Sequence, residues 1–142
     1  MIDSRKLDHL SVQMLACIVE FEAQLRGAGI SFVRSCTYRD HETQNALYAQ
    51  GRTTPGLIVT WAKGGQSPHN DTHDGHPASN AADYYPLLNG KLCDNKTDRE
   101  LALWLKLGQI AVDCGLEWGG NWTARKRDYP HVQLPRTARE TT

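Results

Sequence analysis

Apolar residues recur at spacings of three and four between Leu10 and Leu25, at Leu10, Met14, Ile18 and Phe21, with Leu15 and Leu25 alongside. That period gathers them on one face of a helix, which Gly27 and Gly29 end. From Ile30 to Cys36 the pattern changes to alternation, Ile30, Phe32 and Arg34 against Ser31, Val33 and Ser35, and this predicts a strand. Asp40 to Gln50 predicts a second helix, stopped by Gly51. Ala81 to Leu88 reads as a strand, with Asn89-Gly90 as a two-residue hairpin turn into Lys91-Leu92-Cys93. Thr97-x-x-Glu100 is a capping-box signature that starts a helix over Asp98 to Cys114, with Gly115 at its C′ position. This helix carries two apolar stripes, one of Leu101, Leu105, Gly108 and Val112, the other of Leu103, Leu107, Ile110 and Cys114. Two stripes predict a central helix covered on both sides. His131 to Leu134 is a short last strand, and residues 136–142 are expected to form a disordered tail.

Residues 51–80 break the regular pattern with five Gly and three Pro. So long a loop inside a small domain signals function, as an ordered binding loop or lid. The mixture of helices and hairpin-linked strands predicts an α+β fold, a small antiparallel sheet with helices packed around it. At 142 residues the chain makes one domain, residues 1–135.

Composition narrows the picture. Hydrophobic residues at 39% with charged residues at 23% describe a globular chain. Sixteen basic residues balance sixteen acidic ones, which argues against a nucleic-acid footprint. Residues 123–142 are locally basic, five Arg or Lys against two acidic residues, either a solvated tail or a patch for anionic polymers or lipids. Charges interrupt the apolar residues of the first twenty positions, so these read as neither a signal peptide nor a membrane span. The expectation is a monomer made in the cytoplasm, without stable membrane insertion. Cys17, Cys36, Cys93 and Cys114 are widely spaced and contain no CxxC pair, which predicts reduced, mostly buried thiols rather than a cysteine zinc site.

Two stretches carry candidate chemistry: Ser67-Pro68-His69 leading to Asp83, and Asp128-Tyr129-Pro130-His131. Together they offer two imidazoles, one carboxylate ligand and a spare carboxylate. A hydrolytic zinc site needs such a set, three protein ligands with an open position and a base beside it. Asp83 lies inside the apolar run Ala81-Ala82-Asp83-Tyr84-Tyr85, where a charge is costly unless it is paired or metal-bound. The bland alternative is an edge-strand carboxylate facing water. For the first imidazole, spacing leaves His69, His73 and His76 open. Asp128 stands one turn before His131 and could serve as a base, or could be satisfied by Arg125, Lys126 or Arg127.

Ser67-x-His69, Ala81-x-Asp83, Trp118-Gly119-Gly120-x-Trp122 and Asp128-x-x-His131, in this order, resemble the zinc D-Ala-D-Ala peptidase and Hedgehog-fold family. Within it the chain is most similar to small phage endolysins of the L-alanyl-D-glutamate peptidase type. The likeness extends upstream through Thr37-Tyr38-Arg39-Asp40, Gln44 and Leu47 to Thr53, and covers residues 30 to 134. The resemblance implies Zn2+ held by His69, Asp83 and His131, with Asp128 as the catalytic base. It selects His69 over His76, since members with Ser-Pro-His-Asn and a longer loop before the Asp are the more similar. It also implies substrate contacts from Arg39, Ser67, Gln44 and Trp122, and a core position for Trp118. The implied partners are bacterial peptidoglycan stem peptides, cut at the L-Ala-D-Glu bond. The enzyme would act in the periplasm or cell wall once another protein has opened the membrane. The alternatives are a D,D-carboxypeptidase or D-Ala-D-Ala dipeptidase, and a non-catalytic zinc-binding module.

Overall fold

A computed structural model describes residues 1–136. The expected disordered tail falls almost wholly on residues 137–142, outside the described residues. Helix α1 spans Val12–Gly27, two residues later than the apolar period predicts, because Ser11 caps it by accepting from the Met14 N–H. Helix α2, His41–Ala49, begins the same way, with Asp40 accepting from the Thr43 N–H at 2.8 Å. Helix α3 spans Asp98–Asp113 behind the Thr97 cap. Glu100 there departs from the usual box: its carboxylate accepts from the Thr97 hydroxyl and the Asp94 N–H. Both long helices stop at a left-handed glycine, Gly29 at φ 73° and Gly115 at φ 85°. In each the next residue bonds back over the turn, Ile30 to the Leu25 carbonyl and Leu116 to the Ala111 carbonyl, both at 3.0 Å.

The strands are β1 Phe32–Cys36, β2 Thr72–His73, β3 His76–Pro77, β4 Ala81–Leu88, β5 Lys91–Leu92, β6 Glu117–Trp118 and β7 His131–Gln133. The main sheet is antiparallel in the order β1-β4-β7-β6, and β5 folds back on the end of β4 through Asn89-Gly90. The fold is therefore the expected α+β architecture. β2 and β3 form a separate small hairpin inside the long loop. That loop is ordered from α2, where the Gln44 amide donates to the Ala62 carbonyl at 2.8 Å and the Thr60 hydroxyl at 3.2 Å.

Alternation along β4 divides the molecule. Ala82 and Tyr84 join the core, with Tyr84 edge-on to Phe21 at 5.0 Å between ring centres. Asp83 and Tyr85 line a cleft. Met14, Ile18, Phe21 and Leu25 of α1 pack with Trp104, Leu107 and Ala111 of α3 beneath the sheet. The expectation of a helix covered on both sides is corrected here. Leu105 and Val112 are 53% and 43% exposed, because among the described residues no second layer covers their side of α3. One charge is buried with the core: Glu22 accepts from Arg34 Nε at 2.8 Å and from the Tyr84 hydroxyl. All four cysteines are free, Cys36 and Cys93 buried, Cys17 and Cys114 half-buried. Among the described residues no helix is long and apolar enough to cross a membrane.

Candidate functional site

The register of three strands builds the floor of the cleft. Cys36 on β1 lies opposite Asp83 on β4, and Asp83 lies opposite His131 on β7. His69 is brought over this row by the short 3-10 turn Pro68–Asn70. Ser67 caps that turn by accepting from the His69 N–H at 3.2 Å. Asn70 fastens it further, donating to the Arg39 carbonyl at 2.9 Å and accepting from the Gly65 and Ser67 N–H groups.

Partners fix how each imidazole faces. His69 Nδ1 lies 3.0 Å from the Thr37 carbonyl, which can only accept, so Nδ1 carries the hydrogen. Its Nε2 lone pair then points at Asp83 Oδ1, 3.2 Å away. His131 Nε2 lies 2.7 Å from Gln133 Oε1, and its Nδ1 is 3.5 Å from the same Asp83 oxygen. Two buried imidazoles thus converge on one carboxylate oxygen, their ring centres 5.1 Å apart. Burial opposes charge on Asp83, but the positive charge and hydrogen bonds that His69 and His131 supply when their rings are protonated outweigh it and hold the carboxyl well below the usual carboxylate range. Nitrogen and oxygen donors around an anionic centre, each oriented from behind, fit a divalent metal.

Cys36 also belongs to this cluster, its thiol 3.7 Å from His69 Nδ1, a placement that no motif or spacing in the chain announces. Its neighbouring imidazole nitrogen is already committed to Thr37, and burial pushes the thiol far above its ordinary pKa. Cys36 thus adds a sulfur beside the nitrogen and oxygen atoms of His69, Asp83 and His131.

Asp128 Oδ2 stands 4.0 Å from His131 Nδ1. Burial, then the negative charge of Asp83, raises its pKa. Gly119 makes this placement possible: its carbonyl accepts from the Asp128 N–H, and a Cβ on it would lie 2.3 Å from the Asp128 carbonyl oxygen. Arg125 turns away, over the Trp61 ring at 4.8 Å. Arg39 Nη2 donates to Asp83 Oδ2 at 2.9 Å. Trp122 lines the cleft with its ring centre 5.0 Å from that of His131. Gln44 is fully buried behind the long loop and does not line the cleft. His73 and His76 sit exposed on the β2–β3 hairpin, outside the cluster.

The cleft has a volume of about 710 Å³, and Ser67, Trp61 and Tyr85 complete its walls around these groups. A family model described as D-alanyl-D-alanine carboxypeptidase matches residues 62–134. The chain belongs to this family. Ser67, His69, Asp83, Trp122, Asp128 and His131 all fall within the matched span, while Arg39 and Gln44 precede it. A relative, the peptidoglycan L-alanyl-D-glutamate endopeptidase CwlK of Bacillus subtilis, is 35% identical over 113 residues, 80% of this chain. The match spans 66% of that relative's own length. The crystal structure of the Serratia marcescens L-Ala D-Glu endopeptidase ChiX shares the fold, with a TM-score of 0.57 at 20% identity. That likeness covers 94% of this chain and 86% of the other.

Proposed function

We propose that this family member is a zinc-dependent peptidase that hydrolyses the L-alanyl-D-glutamate bond of peptidoglycan stem peptides. The observation that carries the reading is the convergence of His69 Nε2 and His131 Nδ1 on Asp83 Oδ1, with Asp128 beside them. A zinc ion held by those three residues would polarise the scissile carbonyl and lower the pKa of a water to roughly 7. Asp128 takes the attacking water's proton and passes it to the departing amine. Its raised pKa suits both transfers, since a base too weak could not accept and an acid too strong could not hold the proton. Arg39 steadies Asp83 and presents the rest of its guanidinium to the cleft, where it can bind a substrate carbonyl or carboxylate. Ser67 holds the His69 turn, and Trp122 packs against His131.

The bond choice is supported by the activity named for the Bacillus and Serratia proteins. Residues 1–135 act as one catalytic domain in this reading. The N-terminal segment is tied to the site, since Asp3 pairs with Arg39 and Ser4 bonds to the backbone of Thr37 and Tyr38. The proposed setting is lysis of a bacterial host, the enzyme reaching the wall after the membrane has been opened.

Digestion of purified peptidoglycan followed by mass analysis tests the proposal. The expected products carry a new D-glutamate amino terminus, vanish with a chelator and return with zinc. Release of terminal D-alanine would make the chain a D,D-carboxypeptidase instead. Zinc uptake without any product would make it a binding module.

A further inference from the structure

We propose that Gln133 and Glu117 are positioning residues that set the tautomer of His131, so that its bare Nδ1 faces the metal position. The inference rests on the zinc-site reading above and concerns side chains to which the family match gives no role. Glu117 and Gln133 are directly opposite on β6 and β7, and His131 lies two residues before Gln133 on the same side of β7.

Their hydrogen bonds allow one polarity only. The Trp122 indole N–H can only donate, and it donates to Glu117 Oε2 at 2.8 Å. A carboxylate can only accept, so the Gln133 group facing that same oxygen, 3.3 Å away, is its NH2. Gln133 Oε1 must then face His131, 2.7 Å from Nε2, and that nitrogen must donate. The hydrogen of the neutral ring is thereby placed on Nε2, and Nδ1 is left with its lone pair toward Asp83. Trp122 also packs on the imidazole, with 5.0 Å between ring centres, and hinders the ring from turning over. Glu117 thus sets the direction of a chain that ends at a proposed ligand, although it touches neither that ligand nor the metal position.

Nitrogen-15 NMR of the metal-free wild-type protein, with its histidine rings neutral, reads the tautomer directly. The Nε2–H form of His131 is expected, and an Nδ1–H form would overturn the inference without any variant. Gln133→Met keeps the bulk and removes the acceptor. Its zinc affinity, measured by competition with a chromophoric chelator, should fall by ~10- to 100-fold, the usual effect of losing an outer partner. The His131 signals should shift toward mixed tautomers, and Glu117→Leu, which leaves the Gln133 amide free to turn over, should move both readouts the same way by a smaller amount. Unchanged affinity and tautomer in Gln133→Met would defeat this inference alone. A wild-type protein that binds no zinc would defeat the site reading as well.

Discussion

Asp83 and Asp128 share one cleft, yet their acidities move in opposite directions. Asp83 is pulled down by two imidazoles, whereas Asp128 is pushed up by burial and by Asp83 itself. That separation suits one carboxylate to staying ionised as a ligand and the other to exchanging a proton. Asp128→Asn should keep one zinc and near-native thermal stability, yet lower kcat by roughly two to four powers of ten. A base works in its ionised form, so the acid limb of kcat/KM against pH should lie above the ~3.9 of a free aspartate. A limb at or below that value would remove Asp128 from the mechanism. His69→Ala should abolish zinc binding measured by metal analysis, and His76→Ala should leave it intact; the reverse pattern would move the ligand onto the hairpin. At this scale the sequence was half legible. A charge inside an apolar run exposed Asp83, but the spacing of His69, His73 and His76 could not say which one is buried. The Thr37 carbonyl behind His69 had no signal at all, because every residue has one.

Elements with strong local chemistry were readable: α1 and α3 carry caps at one end and left-handed glycines at the other. β6 was not. Two residues have no period, and Glu117–Trp118 is a strand only because β7 lies beside it. The same strand explains Gly108 on α3, where a Cβ would come within 2.1 Å of the Trp118 ring. Helix propensity alone would reward Gly108→Ala by about 1 kcal/mol. The clash should outweigh this and leave the variant ~1–3 kcal/mol less stable in urea unfolding. A more stable variant would mean that α3 and β6 are less tightly joined than described. The exposed stripe of α3 was misjudged for a related reason, since periodicity shows which residues are apolar but not how many layers exist to cover them.

At the scale of the whole molecule, a buried carboxylate apart from the site, Glu22, is held by Arg34, by Tyr84 and by the more exposed Arg26. Burial opposes the charge of Glu22, and its hydrogen bonds and ion pairs prevail, lowering its pKa in the folded state. The stabilisation from a depressed carboxyl is full above the unfolded value of ~4.3 and is lost as pH falls toward the folded value. Glu22→Gln should therefore be less stable at neutral pH and lose less on acidification, as followed by thermal unfolding from pH 7 to 3. Parallel curves would show that Glu22 does not govern acid sensitivity. The row across β1, β4 and β7 has a consequence in time as well as in space. Cys36 and Asp83 leave the ribosome before His131 does. A nascent chain that has not yet reached residue 131 can own most of its core and still lack a complete set of metal donors. On the proposed zinc reading, the shorter nascent chain is an inert intermediate, and competence waits until β7 has closed against β4.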